Sequence, residues 1–106
     1  MSDVLDVTRP SAHVAHVWLN RPDVRNAFND DVIAALTATF TELSKDEDLR
    51  VVVLGAHGKA FCAGADLNWM KTMAGYSWDE NRADAQKLAD MLWTLDQCPV
   101  PVVGRV

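Results

Sequence analysis

The hydrophobic positions of this chain change period several times, and each change marks a new element. From Val14 to Leu19 they alternate, with Ala15, Val17 and Leu19 on one face and Val14, His16 and Trp18 on the other. Val4 to Val7 precedes them across the turn-forming Arg9-Pro10-Ser11-Ala12, which predicts a hairpin at a sheet edge. Val32, Ile33, Leu36, Phe40 and Leu43 then recur at helical spacing behind Asn29 or Asp30 as cap, one stripe suited to packing on a sheet. Lys45-Asp46-Glu47-Asp48 ends that helix as a solvated connection. Val51 to Leu54 is unbroken and rich in β-branching, as in a strand covered on both faces. After a turn of small residues, Leu67 to Met73 reads as a short helix that Gly75 breaks. Ser77-Trp78-Asp79-Glu80 is a capping box, and the helix behind it carries Ala85, Leu88, Ala89, Leu92 and Leu95 on one face. It stops before Pro99, and Val100 to Val106 is again strand-like. The order β-β-α-β-α-α-β predicts an α/β or mixed α+β domain.

Composition narrows the class. With 106 residues there is room for a single core, and 49% hydrophobic content is that of a globular chain. A net charge of −5 argues against nucleic acid or an anionic membrane as main partner, and no apolar run reaches the length of a membrane span. The opening Met1-Ser2-Asp3-Val4-Leu5-Asp6 is acidic and unlike a secretory signal, and Cys62 and Cys98 read as free thiols, so the expected compartment is the cytoplasm. His13 and His16, three apart, would fall on opposite faces of a strand and share no metal. The closing apolar run predicts that this is the front portion of a longer protein.

The chemistry concentrates in His57-Gly58-Lys59-Ala60-Phe61-Cys62-Ala63-Gly64-Ala65-Asp66-Leu67-Asn68-Trp69-Met70. Its glycines and alanines leave backbone N–H groups uncovered, and a helix start lies behind them. That suits an anion or an oxygen gaining negative charge, and it equally suits a plain tight connection. Asp66 can cap the helix in either case. Cys62 has no histidine spaced to activate it and reads as a small hydrophobe. No dinucleotide fingerprint, phosphate loop or Gly-x-Ser-x-Gly elbow is present. Glu42, Glu47 and Glu80 sit on helix faces or caps, so no acid–base pair is placed.

Three segments together resemble the enoyl-CoA hydratase/isomerase (crotonase) family: Leu19-Asn20-Arg21-Pro22-Asp23-Val24-Arg25-Asn26-Ala27-Phe28, Lys59-Ala60-Phe61-Cys62-Ala63-Gly64-Ala65-Asp66-Leu67 and Pro99-Val100-Pro101-Val102-Val103-Gly104-Arg105-Val106. The resemblance implies the N-terminal part (residues 1–106) of one crotonase-like domain, a ββα superhelix. It implies an acyl-CoA thioester as substrate, with coenzyme A belonging to the substrate and no separate cofactor or metal. The backbone N–H of Ala65 matches one of two oxyanion donors, while Gly64, Asp66, Leu67, Asn68 and Trp69 match substrate-lining positions. Val24, Arg25 and Ala27 match the loop at the nucleotide end of coenzyme A, and Arg21 and Arg25 offer charge for its phosphates. Of the four tryptophans, expected to pack or to line an acyl pocket, Trp69 is the one nearest the acyl group. The second donor and the hydratases' glutamates match nothing in this sequence, so this chain alone is expected to be inactive. The stretch Ala65 to Tyr76 looks most like hydratases of branched glutaconyl-type thioesters. The family implies trimers or hexamers. An isomerase, or a non-catalytic acyl-CoA-binding module, is the alternative.

Overall fold

The computed structural model describes residues 3–106; Met1 and Ser2, the start of the acidic opening segment, lie outside them. Strands β1 (Leu5–Ser11) and β2 (Val14–Leu19) form the expected hairpin, β1 being the sheet edge, but the turn is Ala12-His13 and not Arg9 to Ala12, because β1 runs on through Arg9 and Pro10 to Ser11. Pro10 falls inside β1, where the register breaks between Thr8 and Ser11. An edge strand tolerates this, because a proline's missing N–H costs nothing on the unpaired side. Helix α1 (Asp30–Leu43) then leads to β3 (Val51–Ala56), which lies parallel to β2. Two helices, α2 (Leu67–Met73) and α3 (Trp78–Asp96), precede β4 (Val102–Gly104), parallel to β3, so the sheet runs β1-β2-β3-β4.

The core follows from the two periods. Ala15, Val17 and Leu19 are buried on one face of β2, and all five residues of the α1 stripe are buried in the same cluster. Asn29 caps α1 by accepting the Val32 N–H at 3.1 Å. The opposite sheet face carries Trp18 between His16 and His57. It lies so close over Gly55 that a Cβ there would meet its ring at 2.7 Å.

Three further expectations need correction. β3 is not covered on both faces: Val51 and Val53 stay half-exposed while Val52 is fully buried. Of the run Val100 to Val106, only Val102–Gly104 is strand. On α3 the face turned inward carries Asp84, Leu88, Met91 and Leu95, not Ala85 or Leu92. That helix is apolar over a wide arc, and its packing on α1 selects Met91 for the core and leaves Leu92 and Trp93 in solvent. Trp78 and Trp93, 72% and 65% exposed, therefore stay outside the core, Trp78 meeting the Arg82 guanidinium 5.5 Å above its ring.

Candidate functional site

Because β2 and β3 are parallel with Leu19 opposite Ala56, the loops that follow them leave the same end of the sheet. The carboxyl end of parallel strands is where open α/β sheets place ligands. The two loops are stitched together by backbone bonds and by a few side chains. The N–H of His57 donates to the Leu19 carbonyl at 2.9 Å, that of Ala63 to Arg25 at 3.1 Å, and that of Phe28 to Gly64 at 2.7 Å. Asn26 is the staple at the centre. Its side chain, 1% exposed, donates to the carbonyls of His57 and Ala60 at 2.8 Å each and accepts the Arg21 N–H at 2.7 Å. It does so from a left-handed conformation (φ 59), which asparagine adopts more readily than most residues. Gly58, at φ 88, lets the second loop pass Pro22, whose Cβ would stand 2.7 Å from any side chain there.

This stitching decides where Ala65 points. Phe28 pairs with Ala65 in a parallel bridge, and Phe28 bonds the flanking Gly64 carbonyl and Asp66 N–H, each at 2.7 Å. The pleat then turns the N–H of Ala65 itself the other way. That N–H has no hydrogen-bond partner among the described residues, and Ala65 is exposed. It borders a cavity of about 680 Å³ together with Val24, Arg25 and Ala27 from the first loop and Asp66, Leu67 and Asn68 from the second. Seven of the nine residues singled out from the sequence thus meet around one space.

Gly64 and Trp69 are the two that do not border it. Gly64 is spent on the bridge to Phe28. Trp69 borders two neighbouring cavities, of about 510 and 340 Å³, and packs against the core, its indole Nε1 buried without a partner among the described residues. Lys71, which the sequence reading missed, does line the Ala65 cavity. Its signal was its place four residues after Leu67, on the same face of α2. Arg25 and Lys71 give this space cationic groups in a chain of net charge −5.

Asp66 caps α2 through Oδ1, which accepts the Trp69 N–H at 3.0 Å. Its Oδ2 takes a 3.0 Å hydrogen bond from Arg21 Nη2, and Arg21 Nη1 donates to the Ala27 carbonyl at 2.5 Å. Arg21 is thus engaged by Asp66 and Ala27, borders the neighbouring cavity of about 340 Å³ and not that of Ala65, and is not the free phosphate ligand expected. The Trp69 N–H first, and the Arg21 guanidinium next, hold the Asp66 carboxyl below its usual range. The N–H of Gly64 is also satisfied, by the half-buried Cys62 Sγ at 3.4 Å. His57 lies away from the cavity, paired with Asp6 at 3.0 Å and stacked on Trp18. Among the described residues no group of three His, Cys, Asp or Glu side chains could hold a metal ion.

A four-stranded mixed sheet with helices packed on it, and loops gathered at the carboxyl end of its parallel strands, defines an α/β fold. Residues 9–106 match the family model described as enoyl-CoA hydratase/isomerase, and the chain belongs to that family. It is 36% identical over 110 residues to the mitochondrial Delta(3,5)-Delta(2,4)-dienoyl-CoA isomerase of Mus musculus, covering 96% of this chain and 34% of that one. A probable enoyl-CoA hydratase of Mycobacterium tuberculosis is 36% identical over 94 residues, covering 89% and 36%. Among solved structures, an enoyl-CoA hydratase from Shewanella pealeana superposes with a TM-score of 0.91 at 36% identity, covering 95% of this chain and 38% of that one. This chain spans about a third of the length of the curated relatives it matches. The fold is that of the crotonase neighbours.

Proposed function

We propose that this chain binds an acyl-CoA thioester in the cavity beside Ala65, with the Ala65 N–H donating to the thioester oxygen. The observation that carries this reading is an exposed backbone donor without a partner among the described residues, at the wall of a cavity that also holds Arg25 and Lys71. Such a donor cannot titrate and is oriented before reaction, so it favours the oxygen most when that oxygen becomes an enolate. Val24, Arg25, Ala27 and Lys71 hold the coenzyme A end, the two cations facing its phosphates. Coenzyme A enters as part of the substrate, and we propose no separate cofactor.

The reaction we favour for the whole protein is hydration of an α,β-unsaturated acyl-CoA, branched glutaconyl-type thioesters being the first to try, in a cytoplasmic trimer or hexamer. Hydration needs a placed acid and base. Glu42, Glu47 and Glu80 do not line this cavity, Asp66 is engaged by Arg21, and Asp23 on its wall is a single carboxylate where an acid and a base are needed, so the chain alone is proposed to bind without turnover. Isomerisation is the second reading, favoured by the name of the Mus musculus relative. Calorimetric titration of Ala65→Gly and Ala65→Pro with crotonyl-CoA and with free coenzyme A tests the donor. Ala65→Gly should keep the preference for the thioester and Ala65→Pro should lose it, by on the order of fivefold for one ground-state hydrogen bond. Equal behaviour of both variants removes Ala65 from the site. In the complete enzyme the same loss should cost roughly a hundred- to a thousand-fold in rate.

A further inference from the structure

An oxyanion next to an aspartate is an electrostatic conflict. Asp66 directly follows Ala65, borders the same cavity and, with its carboxyl held below the usual range, is ionised at neutral pH. Its negative charge would oppose the negative oxygen that the Ala65 N–H is proposed to hold. The structure carries a countermeasure: Arg21 Nη2 meets Asp66 Oδ2 at 3.0 Å, with the two side chains only 19% and 9% exposed. Both carboxylate oxygens are therefore occupied, Oδ1 by the Trp69 N–H and Oδ2 by the guanidinium. Arg21 is itself held, by the Ala27 carbonyl and by the Asn26 side chain on its backbone N–H. The shielded position makes the pair less screened by salt than a surface pair.

We propose that Arg21 is a positioning residue that neutralises Asp66, so that the adjacent Ala65 N–H can donate to a negatively charged oxygen. The proposal rests on the reading of Ala65 as an oxyanion donor. It distinguishes charge from shape: Asp66→Asn keeps a good helix cap while removing the carboxylate, and Arg21→Met keeps the apolar stem while removing the cation. Removing only the cation leaves the carboxylate uncompensated beside the donor. Removing both removes the conflict.

The test uses acetoacetyl-CoA, whose ionised form carries an enolate oxygen on the thioester side, with butyryl-CoA as neutral thioester and free coenzyme A as control. The readouts are dissociation constants and the ultraviolet band of the bound enolate across pH. Arg21→Met should weaken enolate binding by on the order of tenfold, and should raise the pH at which bound ligand ionises. It should leave coenzyme A affinity unchanged. The double variant Arg21→Met/Asp66→Asn should regain most of the loss, and Arg21→Lys, which keeps the charge but not the fork that holds Ala27 and Asp66 together, should bind the enolate better than Arg21→Met. A double variant as poor as Arg21→Met, or an Arg21→Met protein with native enolate affinity, overturns the proposal. If the unaltered chain fails to prefer any thioester over coenzyme A, the reading of Ala65 falls. The charge balance is then judged on the Ala65 amide resonance of the ligand-free protein. That resonance should shift in Arg21→Met and return in the double variant; no shift overturns it.

Discussion

Helices α2 and α3 both begin with an oxygen-bearing side chain that accepts the N–H three residues on: Asp66 from Trp69 at 3.0 Å, Ser77 from Glu80 at 3.2 Å. Around Ser77 the arrangement closes on itself, since Glu80 returns to the Ser77 N–H at 3.1 Å and the whole box is exposed. Around Asp66 it reaches across the fold to Arg21 and, by the neighbouring backbone, to Phe28. The consequences differ accordingly. α3 has 19 residues and packs on α1, so its cap adds to a helix that tertiary contacts already hold. α2 has seven residues and buries none of them. A helix that short is not stable by itself, so its place depends on the cap and on the loop behind it. A local cap stabilises a helix, whereas a cap tied to a distant loop also aims the backbone beside it.

The largest effect should come from removing the staple under that tied cap. Asn26→Ala deletes three buried hydrogen bonds, leaves two carbonyls and an N–H unpaired, and puts alanine at φ 59. A loss of about 3 kcal/mol in urea unfolding is expected, with acyl-CoA binding lost alongside. A stable Asn26→Ala protein with native affinity would mean that the two loops meet without it.

Acid should separate the two caps next. The Asp66 carboxyl titrates below its usual 3.8 in the fold, so the unfolded chain takes up its proton first. The stabilisation is complete above the unfolded value and disappears as pH falls through the folded one. Unfolding followed between about pH 2 and pH 5 should show a shallower acid limb in Asp66→Asn than in the unaltered chain. Asp46, lowered chiefly by its hydrogen bond from Arg9, acts with the same sign and makes Asp46→Asn the control away from the site. An acid limb unchanged in Asp66→Asn would deny the Arg21 pair any energetic weight.

The smallest effect belongs to Ser77→Ala. Loss of a local cap should cost about 1 kcal/mol and leave thioester affinity untouched. A fall in affinity as large as that of Arg21→Met would erase the distinction between the two helices.

What could be read along the chain were elements whose signal lies within a few residues. The inward face of β2, the α1 stripe and the Ser77 box stand as their spacing foretold, because each depends on neighbours two to four positions away. The family was legible too, since its motifs are contiguous, and they lead to the residues that border the Ala65 cavity. The face of α3 was misread because its apolar arc is wider than one contact, and only α1 decides which part is covered. Arg21 was misread for a similar reason: it was expected to offer its charge to phosphates, and only the fold brings up Asp66, 45 residues away, to take it. Trp69 was assigned by its closeness to Ala65 along the chain, yet the helical turn from Asp66 carries it to a different cavity.

By itself, then, the sequence determined the elements, their caps and the small-residue turn, all of them set by short-range sterics and hydrogen bonding. The tertiary structure alone decided that the Ala65 N–H has no partner among the described residues and that Asp66 is paired with Arg21. Both depend on which backbone groups the Arg21–Phe28 loop takes up when it closes on Gly64 and Asp66, and no local pattern specifies that choice.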